Sequence, residues 1–339
     1  MELVNTLLFS DVMGKPAWLW LGFAAIVTLL LVIDLGVLHR DDHEIGVRES
    51  LLLSTFYIGL GLGFGVWLWS YMGPTSGMEY FTGFLIEKTL AMDNVFVIAM
   101  IFSFFSVPRQ YQHRVLFWGI LGVIVLRAIM IGLGSALVTQ FSWILYVFGA
   151  FLLITGIKML VFAGGDFSIA NNPVLKWLQR HVRVTPQLHG NKFWVRLPAQ
   201  PATLSDGQMP LVCWATPLFF ALVLIEVADV IFAVDSVPAI FAITQDPYIV
   251  YTSNIFAVLG LRALYFALAA MIARFRYLKY ALALVLVFIG AKIMLVNVTG
   301  KLPASVSLSV TIGLIAGGVL YSLYRTRTGQ HRSPVSETN

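Results

Sequence analysis

Five carboxylate side chains lie deep inside long apolar stretches of this 339-residue chain. They are Glu87, Asp93, Glu226, Asp229 and Asp235. An ionised group at the centre of a membrane-spanning helix costs about 2.5–3.5 kcal/mol. Five unpaired charges would therefore cost as much free energy as a whole domain gains on folding. These carboxyl groups must be paired with a base, protonated or bound to a cation.

Five basic residues share the same stretches, and two interpretations stay open. The bases are Lys88, Arg127, Lys158, Arg262 and Lys292. A closed network of salt bridges would neutralise the acids. However, Lys158 and Lys292 lie near predicted helix ends, where a lysine can extend its ammonium to the interface. Three deep bases then face five acids, which favours a cation site braced by Arg127 and Arg262.

Two neutral oxygen donors, Asn94 and Ser236, directly follow Asp93 and Asp235. Together with the carboxylates they form a set of hard ligands, which suits magnesium, calcium or manganese. All six histidines and the single cysteine, Cys213, lie outside the deep segments. Zinc and copper normally use these softer ligands. The ligand chemistry therefore predicts a hard divalent cation without choosing among the three.

The second acidic segment needs a change of direction to bring its carboxylates together. Glu226 and Asp229 share one face of a helix, whereas Asp235 would point away from them on a straight helix. Pro238 removes one backbone hydrogen bond and strains the carbonyl of Val234. It either opens a turn that has a gating role or is only a structural kink. Asn254, in a later span, is more typical of interhelical hydrogen bonding than of ligation.

The elements that carry these residues are predicted to be membrane helices. Hydrophobic residues make up 59% of the chain and charged residues 12%, against roughly 25% charged residues in soluble domains. The mean hydropathy of +0.85 agrees, and a soluble enzyme is excluded. With about 20 apolar residues per span, we expect an all-α polytopic membrane protein, a single transmembrane domain over residues 1–324. About nine spans are predicted, near 17–38, 50–72, 79–105, 114–139, 141–162, 214–244, 249–273, 277–297 and 302–324.

The polar segments predict the orientation. If the N-terminus is outside, nearly all loop lysines and arginines face the cytoplasm, and the outward loops hold only Lys15 and Lys301. The positive-inside rule then places the C-terminus and the insertion at about 163–213 in the cytoplasm. The net charge of +5 is accordingly attributed to loops facing anionic lipid rather than to nucleic-acid binding. Residues 325–339 are expected to be a disordered cytoplasmic tail.

The insertion contains one short apolar pattern. Val174, Trp177 and Leu178 recur at helical spacing opposite Lys176 and Arg180. A helix lying on the membrane surface and a solvated linker are both compatible with this pattern.

Two three-helix blocks, at about 79–162 and 214–297, resemble each other. The segment from Glu87 to Val95 aligns with Asp229 to Val237, acid on acid. The later matches are Arg127 with Arg262, Tyr146 with Tyr280, Gly156 with Gly290 and Lys158 with Lys292. The second block begins three spans after the first, so it crosses the membrane in the opposite sense. Such inverted repeats are characteristic of secondary transporters, which bind substrate near the midplane where the repeats meet.

The acidic motifs also resemble those of a known family. Glu87-Lys-x-Leu-Ala-Met-Asp93-Asn94 and Glu226-Val-Ala-Asp229-Val-Ile-Phe-Ala-Val-Asp235-Ser236-Val-Pro238 are similar to the motifs of TerC integral membrane proteins, most closely the Alx-type branch. The resemblance covers about residues 17–324. It implies a metal exporter of the bacterial inner membrane, with the five acids as its acidic set. Manganese as the cargo, and a link to tellurium resistance, follow from this resemblance alone.

Three functions were weighed. The first is export of a divalent cation, most plausibly Mn²⁺, by alternating access, with no enzymatic activity and no other cofactor. The chain has no phosphate-binding G-x-x-x-x-G-K-[ST] motif, so ion gradients are the expected energy source. The second is an intramembrane aspartyl protease using Asp93 and Asp235; its usual Gly-x-Gly-Asp element is missing, since Gly165-Asp166 lies in the insertion. The third is a non-transporting membrane component of a tellurium-resistance or metal-stress complex, whose protein partners the sequence does not identify.

Overall fold

The computed structural model describes residues 8–33, 46–141, 143–161, 173–198, 211–269, 278–300 and 302–330. Within these ranges the chain is mostly helical. The helices are α1 (Ala17–Ile33), α2 (Val47–Met72), α3 (Pro74–Phe104), α4 (Arg109–Gln140), α5 (Ile144–Val161), α6 (Pro173–His181), α7 (Pro217–Phe241), α8 (Pro247–Leu259), α9 (Leu261–Ala269), α10 (Leu278–Met294), α11 (Val296–Thr299) and α12 (Ala304–Gln330).

The helical membrane architecture expected from the sequence is confirmed. Among the described residues, five helices are long and apolar enough to cross a bilayer: Val47–Met72, Arg109–Gln140, Ile144–Val161, Pro217–Phe241 and Ala304–Arg325. Helix α3 has 31 residues, which corresponds to about 45 Å of length, but its charged residues lower its mean hydropathy. The count of nine spans stays a prediction.

Two boundaries differ from those expected. The predicted span at 249–273 is interrupted at Gly260, where α8 ends and α9 begins. Helix α12 continues to Gln330, so the first residues of the predicted disordered tail are helical. The break at Gly260 lies inside an apolar run, and the extension of α12 covers polar residues beyond one, so hydropathy could place neither.

Helix α7 also corrects the expectation for Pro238. The helix runs without interruption from Pro217 to Phe241 with Pro238 inside it, so the unwound turn that a proline permits is not observed. The proline removes the single backbone bond to the carbonyl of Val234, and the helix continues past it without unwinding. A gating role for Pro238 stays a prediction.

Proline and glycine fix several helix starts. Pro74, Pro217 and Pro247 each occupy the first turn of a helix, where the missing N–H has no intrahelical partner to lose. Gly73 joins α2 to α3 with a φ of 93°, a conformation that glycine adopts without strain. Asp246 caps α8, because its carboxylate accepts a hydrogen bond of 3.0 Å from the backbone N–H of Tyr248.

The two predicted three-helix blocks pack against each other reciprocally. Helix α3 of the first block contacts α8 of the second, and α7 of the second contacts α4 of the first. The third helices, α5 and α10, pack extensively along each other. This exchange of partners is what two blocks related by a two-fold axis would give. The inverted repeat itself stays a prediction.

Glycines allow the α5–α10 pair to approach closely. A Cβ added to Gly290 would lie 2.7 Å from the carbonyl oxygen of Gly149 and 2.9 Å from the backbone nitrogen of Leu153. Small residues at such crossings let two backbones pack directly in a membrane. The contact between the blocks therefore depends on Gly149 and Gly290 having no side chain.

The described part of the insertion is docked on the bundle and contains a hairpin. Helix α6 buries Leu175 and Leu178 in the same core cluster as residues of α3 and α7. Strand β3 (Trp194–Pro198) pairs antiparallel with β4 (Leu211–Ala215). A second, very short pair, Asp11–Val12 with Lys15–Pro16, precedes α1. The chain is thus not purely helical, and a simple solvated linker does not describe residues 173–198.

Replacing Gly290 with alanine should destabilise the protein by about 1–3 kcal/mol, because the new methyl group meets backbone atoms that cannot rotate away. The control is Gly132→Ala on α4, where a Cβ would have no neighbour within 4 Å; we expect a change within about 0.5 kcal/mol. Thermal unfolding of the two variants in the same detergent measures the difference. Equal stability of both variants would contradict the close contact of α5 with α10.

Candidate functional site

Arg127 lies at the centre of a polar cluster inside the helical bundle. Its side chain, on α4, is 1% exposed. Nη1 donates to Glu87 Oε1 on α3, to Asn254 Oδ1 on α8 at 2.8 Å and to Ser236 Oγ on α7 at 3.3 Å. Nη2 donates to Asp229 Oδ1 on α7 at 3.4 Å. One guanidinium therefore connects four helices, two from each predicted block.

Glu87 acts as the counter-ion of Arg127. Oε1 forms the ion pair with Nη1 of Arg127, and Oε2 accepts a hydrogen bond of 3.1 Å from Asn254 Nδ2. The interhelical role expected for Asn254 is confirmed by these bonds. Both carboxylate oxygens of Glu87 are thus engaged with protein partners, which leaves this side chain less acceptor capacity than one with an unpartnered oxygen. Ligation by Glu87 stays a prediction.

Asp229 and Asn94 keep free acceptor atoms. Asp229 Oδ1 accepts from Asn94 Nδ2 at 3.3 Å as well as from Arg127. Asp229 Oδ2 and Asn94 Oδ1 are buried and have no hydrogen-bond partner among the described residues. Buried polar atoms in folded proteins are nearly always satisfied by protein, water or an ion. Within the Arg127 cluster, these two oxygens are therefore available to bind a cation.

Two cavities flank this pair. The first, of about 30 Å³, is lined by Asn94 and Asp229 together with apolar residues that include Leu116 and Phe232. The second, of about 60 Å³, is lined by Glu87, Asn94, Arg127, Phe232 and Ser236 together with Leu90, Met159, Leu282 and Leu286. Each is large enough for water. Asn94 and Phe232 belong to the walls of both cavities.

Glu226 lies apart from the Arg127 cluster. Its carboxylate occupies the space that a Cβ on Gly122 of α4 would fill. Glu226 Oε2 is buried without a partner among the described residues, and Glu226 lines neither of the two cavities. Glycine at position 122 is what allows a carboxylate to pack against α4. A metal-binding role for Glu226 stays a prediction.

The other bases do not close a salt-bridge network within the described residues. Lys88 is buried, and its Nζ donates to the carbonyl oxygen of Ala257 at 3.1 Å. Lys158 is exposed near the end of α5, and Lys292 donates to Ser307 Oγ on α12 at 2.9 Å. Of the ion pairs found among the described residues, those inside the bundle both involve Arg127. Among the described side chains, two acids (Glu87 and Asp229) and two bases (Arg127 and Lys88) are buried, and Glu226 adds a half-buried carboxylate.

Part of the predicted site lies outside the described structure. The side chains of Asp93, Asp235 and Arg262 are not among those described. Over the described side chains, no group of three or more histidine, cysteine, aspartate or glutamate residues is arranged to hold a metal ion. The structure therefore brings together Glu87, Asn94, Asp229 and Ser236 of the predicted set, and places Glu226 to one side.

Sequence reasoning did not single out Phe232 or Gly122. Phenylalanine and glycine are common in membrane helices, so residue type gives no signal. The available signal is spacing, since Phe232 lies three residues after Asp229 and four before Ser236 and shares their helical face.

An ion-paired polar cluster within apolar helices defines this chain as a polytopic helical membrane protein. Residues 72–330 match the Integral membrane protein TerC family, and the chain belongs to that family. This confirms the resemblance drawn from the acidic motifs.

Similar proteins extend over nearly the whole chain. A membrane protein of Rickettsia bellii is 47% identical over 306 residues, covering 90% of this chain and 97% of the relative. A membrane protein of Myxococcus xanthus is 44% identical over 314 residues, covering 93% and 94%. The Escherichia coli K12 protein named "Putative membrane-bound redox modulator Alx" is 46% identical over 314 residues, covering 90% and 94%. No solved structure matches the chain significantly.

Replacing Arg127 with methionine should destabilise the protein by about 3–5 kcal/mol, because Glu87 and Asp229 would lose their buried counter-charge. Adding Glu87→Gln to this variant should recover part of the lost stability, because it removes one of the two buried carboxylates that no longer have a counter-charge. Thermal unfolding in detergent measures both variants, with Lys158→Met as the exposed control. If Arg127→Met unfolds like the Lys158→Met control, the guanidinium does not hold the helices together.

Proposed function

We propose that this protein exports a hard divalent cation, Mn²⁺, from the cytoplasm by alternating access. One observation carries the proposal: Asp229 Oδ2 and Asn94 Oδ1 are buried, lack partners among the described residues, and belong to residues that line internal cavities. A carboxylate oxygen and an amide oxygen are hard donors that suit such a cation. The choice of manganese rests on the family resemblance.

The balance of charge supports a cation rather than an anion. Two described carboxylates, those of Glu87 and Asp229, are buried in the bundle with Arg127 and Lys88, and the Glu226 carboxylate is half-buried three residues before Asp229 on α7. If all are ionised, the interior carries excess negative charge, which a low-dielectric environment disfavours. A bound cation would relieve that excess. Asp93 and Asp235 are predicted to contribute further ligands.

The arrangement of the cavities supports alternating access. The Asn94–Asp229 pair forms a wall of the first cavity, and Asn94 also reaches the second. A cation held by this pair would lie at the wall of the first cavity and would reach the second through Asn94. Rocking of one helical block against the other would connect each space in turn to one side of the membrane. We place the protein in the bacterial inner membrane with the N-terminus outside and the C-terminus in the cytoplasm.

The proposal predicts that Asp229→Asn abolishes export while the protein still folds. Asparagine keeps the shape of the side chain and its acceptor for Arg127, but it removes the charge that binds the cation. Cells expressing this variant under manganese load should accumulate as much Mn²⁺ as cells without the protein, whereas wild type should lower intracellular Mn²⁺. Asp93→Asn and Asp235→Asn should behave in the same way.

The matched control is Asp246→Asn, at the start of α8. Its carboxylate forms a salt bridge of 2.8 Å with Lys15 and is partly exposed, so this change should leave export intact. Asp229→Asn lowering intracellular Mn²⁺ as well as wild type would overturn the proposed mechanism. If wild type itself leaves Mn²⁺ unchanged, the non-transporting role in a metal-stress or tellurium-resistance complex is favoured.

A further inference from the structure

The two cavities meet along a single stripe of α7. Asp229, Phe232 and Ser236 are spaced by three and four residues, so they share one helical face. Asp229 lines the first cavity, Ser236 lines the second, and Phe232 lines both. Phe232 is the apolar side chain common to the two cavities among the described residues.

Helix α3 presents a matching stripe to the same cavities. Glu87, Leu90 and Asn94 have the same spacing as Asp229, Phe232 and Ser236. Glu87 and Ser236 form one polar level, because Nη1 of Arg127 donates to both. Asn94 and Asp229 form a second level, joined by their hydrogen bond of 3.3 Å. The backbone positions of the two levels are seven residues apart on either helix, about 10 Å along the axis, and the Arg127 guanidinium bonds to side chains of both levels.

The internal repeat relates these two levels to each other. The alignment of Glu87 with Asp229 also pairs Asn94 with Ser236 and Leu90 with Phe232. Each polar level therefore combines an acid of one block with the amide or hydroxyl residue of the other. The apolar pair, Leu90 and Phe232, lies between the levels. The larger member of that pair is the one that reaches both cavities.

We propose that Phe232 is the barrier that separates the two cavities and prevents water and ions from passing straight from one cavity to the other. An apolar side chain at a narrow point excludes water, and hydrophobic constrictions close permeation pathways in this way. The polar groups on either side can hold water or a cation, whereas a phenyl ring cannot. As the barrier in a transport path, this inference rests on the proposed function, but its test does not require the cargo.

The test uses thiol reporters on each side of Phe232. Cys213 is the single cysteine, so Cys213→Ser gives a cysteine-free background. Ala228→Cys places a thiol on the first cavity and Ser236→Cys places one on the second, both positions being cavity-lining. Each reporter is treated with a membrane-impermeant thiol reagent added to only one face of proteoliposomes. With Phe232 intact, the two reporters should react from opposite faces.

Phe232→Ala should remove this sidedness. With Phe232 intact, each reporter is expected to react from one face of the membrane only. In Phe232→Ala, its reaction rate from the other face should rise by at least about tenfold, because the constriction is opened. Phe232→Trp should keep both reporters one-sided. If Phe232→Ala does not accumulate in the membrane, Phe232→Leu replaces it. This variant removes less volume and should weaken the one-sided reactivity of both reporters in the same way.

Matched controls enlarge one cavity without touching the other. Leu286 lines only the second cavity and Leu116 only the first, so Leu286→Ala and Leu116→Ala should preserve sidedness. The proposal is overturned if both reporters react from the same face or from neither face with Phe232 intact. It is also overturned if Phe232→Ala leaves sidedness unchanged, or if the controls abolish it equally.

The two proposals can fail separately. One-sided reporters that become two-sided in Phe232→Ala, in a protein that moves no Mn²⁺, would support the barrier and reject manganese export. Manganese export with reporters insensitive to Phe232 would support export and reject the barrier.

Discussion

A single buried guanidinium organises the interior of this protein. Arg127 donates to side chains on α3, α7 and α8 and is itself carried by α4. Lipid cannot replace a lost partner, so these polar groups must be satisfied by the protein or by water in the adjoining cavity. The positions of the four helices are therefore coupled through one side chain. Any rearrangement that moves one block against the other must exchange the partners of Arg127.

The guanidinium of Arg127 bonds unequally to the two buried carboxylates, Glu87 and Asp229. At the Glu87 level it satisfies one carboxylate oxygen fully, and Asn254 satisfies the other. At the Asp229 level it reaches only Oδ1, at 3.4 Å, and leaves Oδ2 unpartnered among the described residues. Glu87 is thus bonded through both oxygens, whereas Asp229, its counterpart in the predicted repeat, keeps one oxygen available for a ligand. If the two blocks exchange conformations, these roles would exchange as well.

Much of this organisation could be predicted from the sequence, for physical reasons that differ between features. Apolar runs of membrane length located the helices, and rare charged residues at fixed spacing located the polar centre. The sequence also indicated that Arg127 braces acids, but it assigned the arginine to the acids of its own block. The structure adds a bond to Asp229 of the other block, because tertiary packing decides which helix a guanidinium faces. The sequence did not predict the helix break at Gly260 or the packing of the Glu226 carboxylate against Gly122. Glycine is frequent in membrane helices, so its presence alone indicates neither feature.

The most direct test of the central claim is the location of bound manganese. A crystal of the protein grown with Mn²⁺ and measured near the manganese absorption edge would show the ion by its anomalous scattering. We predict a peak between α3 and α7, within coordination distance of Asp229 Oδ2 and Asn94 Oδ1. Peaks confined to surface carboxylates, with Arg127 and water alone filling the interior, would contradict the account.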